Sequence, residues 1–150
     1  MNKDSERGMS LIVKTITRMT VGLILLYGIY IVLYGHISPG GGFAGGVIIA
    51  LSFIHLVLAY GKEAAFKRFS PNAASYFEGL GAVLFLATAL LGFIGGYFFL
   101  NLLNKGEPFK LFSAGMIPLR NIAICLKVGA GLFAIFVALI LLKFDPEKKK

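Results

Sequence analysis

Charge is what this chain has least of. Only 15% of its 150 residues are Asp, Glu, Lys or Arg, against 57% hydrophobic, and the mean hydropathy is +0.82. A soluble domain carries about 25% charged residues, so a water-covered fold is excluded. A single cysteine, Cys125, leaves no intrachain disulfide and reads as a small buried hydrophobe. Two histidines, that cysteine and scattered carboxylates make no ligand set at metal spacing, so neither a metal nor any other cofactor is expected in this chain. "GGGFAGG" lacks the Gly-Lys-Ser/Thr ending of a phosphate-binding loop, and no nucleophile elbow occurs, so no catalytic residues are expected. Glutamine is absent while lysine is plentiful, in keeping with the depletion of thermolabile amides in hyperthermophile proteins.

What is there is long apolar sequence. A bilayer span needs about 20 mostly apolar residues, and four spans can be read, over about 9–34, 41–60, 77–103 and 117–142. The expected fold is an all-α, integral membrane protein of four transmembrane helices, a single membrane domain over 1–150, multi-pass in the cell membrane. The first span follows Lys14 and Arg18 in "LIVKTITR" and is followed by no small-residue cleavage site, so it reads as a retained helix and not a signal peptide.

The net charge of +8 would suggest nucleic acid in a soluble protein. Here the basic residues sit at span ends, where they set orientation and argue against a nucleic-acid partner. Eleven Lys and Arg fall in the N-terminal segment, the second loop and the tail, against Lys105, Lys110 and Arg120 in the third loop. That distribution predicts both termini in the cytoplasm.

Small residues let helix backbones approach in lipid, where no hydrophobic drive holds helices together. Gly41 and Gly45, Gly42 and Gly46, and Gly92 and Gly96 are spaced as packing pairs. A face of the second span reads Gly41, Gly45, Ile48, Ser52, His55, Ala59, and its character predicts contact with protein, not lipid. The spread of such positions over several faces predicts packing against other membrane subunits.

Charge at bilayer depth costs a few kcal/mol or more, so ionisable residues there face protein or a water-filled path. Lys127 lies roughly 5 Å from the middle of the fourth span. It reads either as a proton-relay or gating lysine or as one half of an ion pair with a carboxylate on a neighbouring subunit. His55, three residues after Ser52, is a candidate proton carrier or an interface residue. Glu78, taken as the opening residue of the third helix after "SPNAASYF", reads mainly as a partner for the helix dipole. Together Lys127, His55, Ser52 and Glu78 are the candidate ion or proton path.

Between the first two spans stands "GHISPGGGFAGG". Irregular backbone at membrane depth is tolerated where protein buries it, so Pro39 and the glycines predict a short, rigid, buried hairpin with Phe43 wedged against its neighbours. With its flanks, "VKTITRMTVGLILLYGIYIVLYGHISPGGGFAGGVIIAL", the stretch resembles the MnhB/MrpB family, the B subunit of multisubunit Na+/H+ antiporters. The resemblance is close over about the first 60 residues and carries over His36, Pro39, Gly40, Gly41, Gly42, Phe43, Gly45 and Gly46, with Pro39 and Phe43 expected to matter for transport. It implies a non-catalytic subunit of an ion-translocating module, or a purely structural one that carries no ion, with Na+ and H+ as transported ions. Its implied partners are other antiporter-type membrane subunits and lipid. In "IPLRNIAICLKVGAGLF", Asn121 and Lys127 stand where bacterial antiporter members carry an acidic residue. That run looks more like relatives in archaeal membrane-bound hydrogenases and sulfur-reducing complexes, which extends the implied partners to hydrogenase-like and iron-sulfur subunits.

Overall fold

The structure, a computed structural model, describes residues 9–61, 66, 70–111 and 113–144. Lys3, Arg7, Lys62, Lys67, Arg68 and Lys148 to Lys150, used above to orient the chain, lie outside the described residues.

In hydrocarbon every backbone polar group must be satisfied within the chain, which makes an apolar run a helix. Among the described residues, four helices long and apolar enough to cross a membrane result: α1 (Leu11–Leu33), α2 (Gly42–Tyr60), α3 (Pro71–Leu91) and α4 (Ile117–Phe144). Several hydroxyls inside them are satisfied locally: Thr15 Oγ1 donates to the Leu11 carbonyl at 3.0 Å and Thr88 Oγ1 to that of Phe85 at 2.8 Å.

The third helix departs from the expected 77–103. Ser70 caps it, its Oγ accepting from the Ala73 amide at 3.2 Å, and Pro71 occupies the first turn, where its missing N–H costs nothing. The helix therefore begins six residues earlier. It ends in a 3-10 turn over Gly92–Gly95, and Gly96, at φ 100°, stops it. The chain then folds back, so that a Cβ on Gly92 would lie 2.7 Å from the Phe99 amide nitrogen. Gly92 and Gly96 thus build a turn and not a helix-packing pair. Residues 96–103, although apolar, are irregular.

The helices pack as α1 on α2, α2 on α4, and α4 on α3, with only slight contact between α1 and α4. The result is a curved row in the order α1, α2, α4, α3, not a closed bundle. Glycines set its spacings: a Cβ on Gly45 would lie 2.9 Å from the Gly28 carbonyl of α1, and one on Gly46 3.0 Å from the Cys125 carbonyl of α4. A core of Val57, Ala74, Ala130, Phe133 and Val137 joins α2, α3 and α4 toward the end that carries the described termini. There the Met9 amide donates to the Ala59 carbonyl at 3.0 Å and the Tyr60 hydroxyl to that of Lys14 at 2.9 Å. The outer helices leave large apolar side chains uncovered, among them Leu23 and Leu26 on α1 and Val83 and Leu86 on α3.

Candidate functional site

At the opposite end, the glycine-rich stretch makes the α1–α2 connection. The Ile37 and Ser38 amides both donate to the Tyr34 carbonyl at 2.9 Å, which winds the chain tightly off α1. Gly41 then reverses it at φ 100°, a conformation costly for any residue with a Cβ, and caps α2. Gly35 is pressed on Gly41, and Gly42 on the carbonyl of Asn121 in α4; a Cβ at Gly35 or Gly42 would overlap those atoms.

The expected buried hairpin is thus buried on one side. Gly41, Gly42, Gly45 and Gly46 are buried and His36 half-buried, whereas Pro39 and Gly40 are exposed. Phe43, expected to wedge the turn, is 64% exposed and points away from the rest of the chain. The wedge is instead the glycine backbone itself, because α2 approaches α4 too closely for a side chain to enter.

Three residues support this end of the molecule: Asn101 is singled out by no spacing or motif, Arg120 reads in the sequence only as a loop charge, and Asn121 only as a departure from an acidic position. Arg120 donates from Nη2 to the Phe99 carbonyl at 3.0 Å and lays its guanidinium 4.8 Å above the Phe99 ring. Phe99 itself sits at φ 63°, so Arg120 holds a strained turn. Asn101 ties the same loop to the start of α4, its Nδ2 donating to the Ala114 carbonyl and its Oδ1 accepting from the Met116 amide, both at 2.9 Å. Asn121 provides the backbone on which Gly42 rests. His36 Nε2 lies 3.3 Å from the Lys110 carbonyl, joining the glycine turn to this loop across a cleft of about 310 Å³.

The four candidate path residues do not converge. Ser52 is buried and donates to the Ile49 carbonyl of its own helix at 2.7 Å. His55 is half-buried and lies two helical turns beyond Ile48, which would touch a Cβ at Gly28 of α1. The small and polar face of α2 therefore does meet protein, namely α1 of the same chain. Glu78 and Lys127 belong instead to the seam between α3 and α4 on the far side of the row. Glu78 lies two turns inside α3, which carries no acidic residue in its first turn. The helix-dipole reading of Glu78 falls away, because that effect fades within the first turn. Its carboxylate lies over α4: a Cβ on Gly131 would be 3.7 Å from Oε1. Lys127, one turn before Gly131, packs its backbone on Gly81, where a Cβ would lie 2.6 Å from the Lys127 nitrogen, and its side chain is exposed.

Four apolar spans and a glycine turn locked on the last of them define a multi-pass helical membrane protein. The chain belongs to the MnhB family: the pattern described as "Domain related to MnhB subunit of Na+/H+ antiporter" matches residues 12–134. It is 34% identical over 113 residues to the B subunit of the Na+/H+ antiporter of Bacillus subtilis, covering 69% of this chain and 78% of that one. An uncharacterized protein of Methanocaldococcus jannaschii is 42% identical over 117 residues, 73% of this chain and 44% of that protein's length. A chain of the membrane-bound sulfane sulfur reductase, an archaeal respiratory membrane complex, superposes with a TM-score of 0.74 at 29% identity. That match takes in 94% of this chain and 64% of the reductase chain, so this chain spans less than two thirds of both archaeal relatives.

Proposed function

We propose that this chain is a non-catalytic membrane subunit of the Na+/H+-translocating module of a multisubunit antiporter or of an antiporter-linked respiratory complex, with both termini on the cytoplasmic side. The observation that supports this best is the glycine turn seated on Asn121. In the segment that carries the family resemblance a Cβ at Gly35 or Gly42 would overlap backbone atoms, and Phe43 extends from it beyond the chain's own surface. A 64% exposed aromatic beside a rigid backbone is a contact offered to a neighbour.

A second reading, a structural subunit that carries no ion, is favoured by the separation of Ser52 and His55 from Glu78 and Lys127. They occupy different seams of the row, and Ser52 spends its hydroxyl on its own helix. The two readings part on Phe43→Ala, which opens no cavity within the chain. In membrane vesicles holding the assembled complex, reduced sodium-dependent proton exchange supports a role in translocation, and unchanged exchange at full assembly supports the structural reading. Exchange that is unaffected by deleting the whole chain overturns both.

A further inference from the structure

Lys127 presents a charge that no described residue of its own chain neutralises. It stands about 4 Å from the middle of the span Ile117–Leu142. The nearer edge of a hydrocarbon core about 30 Å thick is then about 11 Å off, beyond what a snorkelling lysine covers. Its side chain is nevertheless exposed, and no carboxylate of the described residues lies within ion-pairing distance. The one carboxylate on the same seam, Glu78, sits a turn further along α4, over Gly131, and is half-buried there. Beyond Lys127 the same side of α4 carries the small and exposed Ala138, while Gly131 lies under Glu78 and Ala134 packs on the chain's own core.

Resting on the functional reading above, we propose that this strip of α4 is the seat of a transmembrane helix from a different subunit of the complex, one that brings a carboxylate to the depth of Lys127. Lipid acyl chains offer no counter-charge at that depth. A second copy of this chain is a poorer fit: a two-fold axis along the membrane normal keeps every residue at its own depth and sets lysine level with lysine. An acidic helix supplies the missing charge, and the small, exposed Ala138 leaves room for its backbone.

The test uses the intact complex in its own membranes, with a photo-crosslinking amino acid placed at the exposed Ala138 (Ala138→p-benzoylphenylalanine) and the adduct identified by mass spectrometry. The expected product joins this chain to one other membrane subunit, through a span holding an Asp or Glu near its middle. Lys127→Glu should lower that adduct at least tenfold and Lys127→Arg should preserve it, and replacing the partner's acidic residue by lysine should restore the adduct to Lys127→Glu. Adducts to lipid alone or to a second copy overturn the proposal, as does an adduct indifferent to Lys127→Glu. If such results come from a chain that still purifies with antiporter-type subunits, only the docking proposal fails. A chain that purifies alone removes the functional reading with it.

Discussion

Gly42 at the start of α2 lies directly on the backbone carbonyl of Asn121 in α4, with no space between them for a methyl group. The contact fixes how the glycine turn, and Phe43 beside it, is presented. Gly42→Ala must push the two helices apart, and overpacking of this kind costs about 1–3 kcal/mol. Cys125, the single cysteine, is buried one turn along α4 and reports unfolding when a thiol-reactive fluorophore reaches it. The Gly42→Ala protein should become reactive at clearly lower temperature than the parent.

Gly79 is the matched control. Its added Cβ meets nothing within 4 Å, and it lies inside α3. Gly79→Ala therefore gains helix propensity without a clash, worth up to about 1 kcal/mol. The same thiol-accessibility melt should shift upward or stay in place. A destabilisation equal to that of Gly42→Ala would show that helix glycines act here through something other than close approach.

Arg120 holds Phe99 by a charged hydrogen bond and by its position over the ring. Arg120→Ala removes both, a combined loss of about 2 kcal/mol. The effect should be local, because Phe99 lies in the irregular segment between α3 and α4. Hydrogen exchange of the amides near Phe99 and Leu100 should quicken by roughly tenfold or more, at about 1.4 kcal/mol per tenfold, while amides in the middle of α2 remain protected.

Thr17 is fully buried in α1, and its Oγ1 has no hydrogen-bond partner among the described residues. Leaving such a group unmatched costs about 1–3 kcal/mol. Thr17→Val keeps the shape and removes the hydroxyl, so the melting temperature of the purified protein should rise. A fall would mean that the hydroxyl is satisfied in the membrane.

Hydropathy located the four helices because lipid forces apolar runs to satisfy their own backbone. It misplaced α3 because "YFFLNLL" is as apolar as a span and yet folds back as a loop. The true ends were written in Ser70-Pro71 and in Gly95-Gly96, punctuation that an average over apolar residues does not weigh. The glycine turn was legible as a turn, but not the partner it rests on, since nothing in the spacing of Gly41 or Gly42 points to Asn121. Heptad spacing likewise put Ser52 and His55 on one face without showing that α1 covers it. Lys127 and Glu78 meet on one seam only through the crossing of α3 on α4 at Gly81, a tertiary fact.

In the proposed function this MnhB-family chain works as one subunit among several in a membrane complex. The direct measurement is mild-detergent purification from native membranes through a tag on the C-terminal tail, with the subunits counted by native mass spectrometry. That role predicts recovery at fixed stoichiometry with larger antiporter-type membrane subunits, joined by iron-sulfur proteins if the complex is redox-driven. A chain recovered alone, or only with copies of itself, would contradict it.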